Sequence, residues 1–144
     1  MIGTAMKRFL IVLAIGCLAA NSLNATEPKH SQSFTQARIS VIEQELIAAL
    51  ESDIPGLQIS AARTMRQLRE CAPWYEWDAS IIPLMHIVNR EEHDAKARVS
   101  AAVALHELRS SRGDYAIQRM GQFASDSKVR RACFMLCRAR QTEG

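Results

Sequence analysis

Cys133 and Cys137 stand four residues apart, the spacing at which two side chains share one face of a helix. Two thiolates placed so could ligate a soft metal, but a tetrahedral site needs further ligands and none follows at motif spacing. Small thiols in a core are the expected role. A disulfide between them would strain the helix, and a bond from Cys71 to either is left open. His106-Glu107 is a second pair of metal-binding types, and it stands alone. His86 and His93 with Glu91, Glu92 and Asp94 form no ligand spacing and read as a solvated charged turn. Glycine-rich phosphate loops, a GxSxG elbow and a recognisable cysteine–histidine pairing are absent from the sequence. Accordingly no catalytic residue, metal or cofactor is expected.

Two groups of residues have the makeup of contact sites. The loop Cys71-Ala72-Pro73-Trp74-Tyr75-Glu76-Trp77 holds both tryptophans and one of the two tyrosines. Trp74, Tyr75 and Trp77 could anchor a partner, since aromatics bury a large area at low entropy cost; the alternative is that they plug a junction between helices. Near the C-terminus, Arg130, Arg131 and Arg138 surround Phe134. An exposed phenylalanine with a basic rim is a contact-site composition; the alternative is a solvated capping helix.

Charge is unevenly spread. Thr26 to Leu108 carries 8 basic and 12 acidic residues, whereas Arg109 to Gly144 carries 8 basic and 3 acidic. A basic end suits an acidic partner or anionic lipid. From Thr26 onward there are 16 Lys and Arg against 15 Asp and Glu. That near-balance argues against nucleic-acid binding.

The N-terminus reads as a targeting segment. Lys7 and Arg8 precede an uncharged apolar run of 12 residues, Phe9 to Ala20, and Leu23-Asn24-Ala25 follows as a cleavage site. That is the layout of a secretory signal peptide over residues 1–25. The run is too short to span a bilayer, which needs roughly 20 apolar residues. Ala14-Ile15-Gly16-Cys17 offers a second outcome, acylation at Cys17, which would tether the chain to a membrane as a lipoprotein. Residues 26–33 are polar with Pro28 and read as a flexible mature N-terminus. Cys71, Cys133 and Cys137 remain in the exported form, an odd number that leaves at least one thiol free or paired between chains.

Beyond residue 33, apolar residues recur with helical spacing in six segments, and no strand pattern appears. The segments are expected at Phe34–Ser52, Leu57–Glu70, Asp78–Arg90 with Pro83 near its first turn, Ala95–Ser110 capped by Asp94, a fifth capped by Asp114 after a stop at Gly113 and ending near Ala124, and a sixth capped by Asp126 or Ser127. Ile54-Pro55-Gly56 separates the first two. Even-numbered segments resemble one another. Ile59-Ser60-Ala61-Ala62 aligns with Val99-Ser100-Ala101-Ala102 at an offset of 40, and Val129-Arg130-Arg131-Ala132 aligns with the same block at an offset of 30. In that alignment Phe134 matches Ala104 and Thr64 and is expected to face outward, while Met135 matches Leu105 and reaches the core edge. A repeating helix–turn–helix unit of this period signals a solenoid.

Asp126-Ser127-Lys128-Val129-Arg130-Arg131-Ala132 and Asp94 to Leu108 resemble the second helix of the HEAT-repeat family, with its acidic turn residue, valine, small residues and leucine. Ile81-Ile82-Pro83-Leu84 is similar to the family's proline-bearing first helix. The likeness covers about Val41 to Arg140. It implies an all-α fold, a short right-handed α-solenoid of about three helical hairpins over residues 34–144, serving as a protein-binding scaffold. HEAT-like deoxyhypusine hydroxylases hold a di-iron centre through several His-Glu pairs, but positions aligned with His106-Glu107 are Arg66-Gln67 and Leu136-Cys137. The expected function is an exported, periplasmic or secreted, non-catalytic protein–protein interaction module, whose C-terminal hairpin meets another protein or a second copy. The alternatives are an enzyme or metal- or cofactor-handling accessory protein on the same scaffold, and a structural lipoprotein.

Overall fold

The computed structural model describes residues 29–143, with side chains from residue 36 onward. The expected signal peptide and Cys17 lie outside the described residues. Residues from Gln32 onward form one compact unit. The described helices are α1 (Lys29–Leu50), α2 (Pro55–Cys71), α3 (Asp78–Asn89), α4 (Ala95–Leu108), α5 (Ser111–Phe123) and α6 (Ser127–Thr142). The described residues include no strand, so the chain is all-α as expected. None of the described helices is long and apolar enough to cross a membrane.

Helix starts follow local chemistry. Pro55 takes the first position of α2, where its missing N–H costs nothing, so Ile54-Pro55-Gly56 opens this helix as much as it separates two. Asp94 accepts from the N–H groups of Lys96 and Ala97 at 2.8 and 3.2 Å. Asp126 does the same for Lys128 and Val129 at 2.8 and 3.0 Å. Each satisfies two of the four unpaired first-turn donors.

Several expectations change in detail. Backbone helicity begins at Lys29, five residues before the expected Phe34 and inside the segment read as flexible; after Pro28 nothing in His30 to Thr35 breaks a helix. The cap of α5 is Ser110, not Asp114. Gly113 does not stop the chain but lies in the first turn of α5, pressed on α4, where an added Cβ would meet Leu105 Cδ2 at 3.2 Å. Pro83 is the sixth residue of α3, just past its first turn. It withholds a partner from the carbonyl of Ala79, on an exposed turn.

α3 and α4 pack as one hairpin and α5 and α6 as another. α2 lies on α4 and α4 on α6, while α3 lies on α5. The even helices thus form one row beside α3 and α5, with α4 in the middle. The shared core runs through Met65, Leu84, Val88, Ala101, Ala102, Leu105, Val129 and Cys133, all fully buried. α1 adds Ile39, Leu46 and Leu50.

One polar position recurs in this row. The fourth residue after each cap position is Gln58 in α2, Arg98 in α4 and Arg130 in α6. Gln58 donates to the Leu50 carbonyl at 3.2 Å, Arg98 Nε to the Val88 carbonyl at 3.1 Å, and Arg130 to the Ala124 carbonyl at 2.9 Å. Each therefore ties off a carbonyl at the end of the preceding helix, where intrahelical partners run out. This sets the register between α4 and α6 at 32 residues, from Asp94 to Asp126, not the expected 30. Matching Val99 to Val129 misled the alignment, because Val129 corresponds to buried Ala97.

Candidate protein-contact surface

The aromatic loop is first of all a clamp. Glu43 of α1, itself buried, accepts from the Tyr75 hydroxyl at 2.7 Å and the Ser80 hydroxyl at 2.7 Å. Burial, then this bond to Glu43, raises the Tyr75 phenol above its ordinary value. The Tyr75 ring meets Trp77 edge-on, with centroids 4.9 Å apart, and Trp74 at 6.2 Å. Trp77 is only 4% exposed and is corrected from a surface anchor to a core residue: it stands immediately before α3, where the loop must close over apolar side chains. Trp74, at 55% exposed, is the one ring of the three that solvent reaches freely. Glu43 was missed in the sequence because a lone acid on an amphipathic helix looks like a solvated one.

The α6 residues are arranged differently. Arg130, Phe134 and Arg138 follow one another at four-residue steps along an exposed stripe, with Arg131 beside them. Phe134 is 52% exposed, as expected. Met135 is corrected, being exposed rather than at the core edge, because the 32-residue register matches it to Val103 and not to Leu105. The same register places Phe134 opposite Ala102, and Ala102 opposite Ala62. Both alanines are fully buried. Small side chains at this position let one helix of the row approach the next; on α6 the position carries a phenyl ring and nothing described covers it.

Beneath that ring α5 comes close. A Cβ added at Gly121 would stand 3.1 Å from the Phe134 backbone nitrogen. A groove of about 370 Å³ runs between the two helices, lined by Gln118, Gly121, Gln122, Phe134, Cys137, Arg138 and Gln141. Phe134 and Arg138 therefore share one concavity, while Arg131 lies on the adjoining surface. Arg130 is partly spent on the Ala124 carbonyl. Trp74, Tyr75 and Trp77 share no groove or bond with these residues among those described.

Several titratable groups of α2, α4, α5 and α6 are engaged with one another. A smaller cavity of about 200 Å³ is lined in part by His106, Asp114, Cys137 and Arg140. Arg140 pairs with Asp114 at 3.2 Å and also donates to the His106 carbonyl. Burial and then the Arg140 charge hold the His106 imidazole below its ordinary value. Burial, followed by the Asp114 charge, pushes the Cys137 thiol up. Burial pushes Cys133 up to about 11. Raised thiols are the opposite of activated nucleophiles. Glu107 is engaged by Arg66 at 2.7 Å. Among the described residues, no group of three or more His, Cys, Asp and Glu could hold a metal ion, and Cys71, Cys133 and Cys137 are all free thiols.

The chain matches no protein-family model, no curated protein and no solved structure.

Proposed function

We propose that this chain is a short HEAT-like α-solenoid that works as a non-catalytic protein-contact module, exported through its N-terminal segment. The row of α2, α4 and α6 beside α3 and α5 supports the solenoid reading. So does the polar residue at the same place after each cap of the row. Lys7-Arg8, the short apolar run and Ala25 support export.

The observation that carries the contact role is Phe134. A bulky ring occupies a position that is alanine wherever the row continues, and there it is half exposed. An uncovered aromatic over a groove with arginines at its rim has the anatomy of an interface core and rim.

Photo-crosslinking tests this. A benzophenone side chain placed at Phe134 should yield one discrete protein adduct in the native envelope, whereas the same group at exposed Tyr115 of α5 should not. Adducts at neither position, or an identical ladder at both, would remove the contact role. Mass spectrometry of the exported protein should find Thr26 at the N-terminus; acylated Cys17 there would make it a lipoprotein, and an uncleaved chain would end the export reading.

A further inference from the structure

We propose that the groove between α5 and α6 receives an acidic peptide segment of a partner protein, which seats an apolar side chain against Phe134 and sets carboxylates on Arg131 and Arg138. The inference rests on the contact-surface reading above and adds the chemistry of the partner.

Charge is the first argument. The three acids that follow Arg109 are all engaged internally. Asp114 pairs with Arg140, Glu143 with Arg109 at 3.3 Å, and Asp126 caps α6. Arg119, Arg131 and Arg138 make no ion pair among the described residues. Cations without a carboxylate of their own beside an uncovered apolar ring complement a partner carrying acids around an apolar residue.

The lining is the second. Gly121, Phe134 and Cys137 give the groove an apolar floor, and its volume of about 370 Å³ falls in the range of ligand-receiving clefts, roughly 300–1,000 Å³. Gln118, Gln122 and Gln141 stand around it. Each carboxamide offers both donors and an acceptor, which matches the alternating N–H and C=O groups of a peptide backbone. A lipid headgroup calls for the cations but not for a concave floor or for acceptors. A second copy docked by a two-fold axis would bring the same arginines toward one another.

The test uses the full chain and short fluorescent peptides carrying one leucine flanked by aspartate and glutamate. Controls replace the acids by lysine or the leucine by serine, and phosphatidylcholine vesicles doped with phosphatidylserine stand in for a membrane. The acidic leucine peptide should bind best and lose affinity with salt. Arg131→Glu with Arg138→Glu should turn the preference toward the lysine peptide. Phe134→Ser should weaken the leucine peptide by at least about tenfold and leave the serine peptide unchanged. Circular dichroism of each variant establishes that the helices persist, and the charge-reversal pair decides the matter if Phe134→Ser unfolds. No preference for acidic peptides, or a preference that survives charge reversal, overturns the inference. Vesicle binding indifferent to Phe134→Ser overturns it in favour of a lipid surface. A crosslinked partner at Phe134 without an acidic preference would sink this inference alone, whereas absence of any adduct would sink the contact reading beneath it.

Discussion

A buried guanidinium needs acceptors on several sides, and Arg98, 2% exposed, has them. Its Nε donates to the Val88 carbonyl at 3.1 Å and its Nη2 reaches Met120 Sδ at 3.7 Å; the Glu91 carboxyl, held below its ordinary value first by bonds from Ser125, and that of Asp126, held down first by the Val129 N–H, each receive a smaller contribution from the Arg98 charge. Glu91 in turn accepts from the Ser125 hydroxyl at 2.6 Å, joining the turn before α4 to the turn before α6. Arg98→Ala should therefore cost about 1.5–3 kcal/mol, the range for a hydrogen bond to a charged group, and urea unfolding would measure it. A loss within about 0.5 kcal/mol, as for a surface change, would mean the arginine is not a structural member. The thiols test burial in another way. Cys71 is exposed, whereas Cys133 is fully buried and its thiol is raised to about 11. Iodoacetamide should label Cys71 in the native protein and Cys133 only on unfolding, which peptide mapping by mass spectrometry resolves. Arg98 was not singled out in the sequence because arginine is rarely buried; its place four residues after Asp94, like Arg130 after Asp126, was the available signal.

Helices were the most legible level. Their number, order and inward faces follow from apolar spacing and from Asp94, Pro55 and Asp126, all readable as start signals. Their exact ends were less so. Gly113 looked like a breaker because glycine usually is one, yet here it provides close approach to Leu105. Arg109 ends α4 in the left-handed region at φ 55, a place where glycine would have been the cue. The cap of α6 also has a pH signature. Hydrogen bonds from the Val129 and Lys128 N–H groups hold the Asp126 carboxyl below its ordinary 3.8. A carboxyl depressed on folding stabilises the native state above its unfolded value, and that contribution disappears as pH falls through the folded one. The wild type should lose stability on acidification below about pH 4 more steeply than Asp126→Asn, in thermal melts across that range. Parallel losses would show that the cap is not titrating with folding.

At the scale of the whole unit, what the sequence obscured was register. Two plausible alignments differ by two residues, and apolar matching alone chose Val99 with Val129. Caps and carbonyl-tying side chains align Asp94 with Asp126 instead, which moves Phe134 from the expected match with Ala104 and Thr64, of which Ala104 is itself fully buried, to the stacking class of Ala102 and Ala62. An exposed side chain and a stacking position left uncovered look alike in one dimension, because only the neighbouring helix distinguishes them. The account predicts opposite outcomes for exchanging residues at these equivalent places. Ala102→Phe should overpack the contact of α4 with its neighbours and destabilise by about 1–3 kcal/mol. Phe134→Ala should change stability by no more than about 0.5 kcal/mol. Urea unfolding of the two variants beside the wild type is the most direct measurement: the predicted result is a large loss for the first and almost none for the second, and comparable losses, or the reverse order, would contradict the placement of Phe134 at the uncovered end of the row.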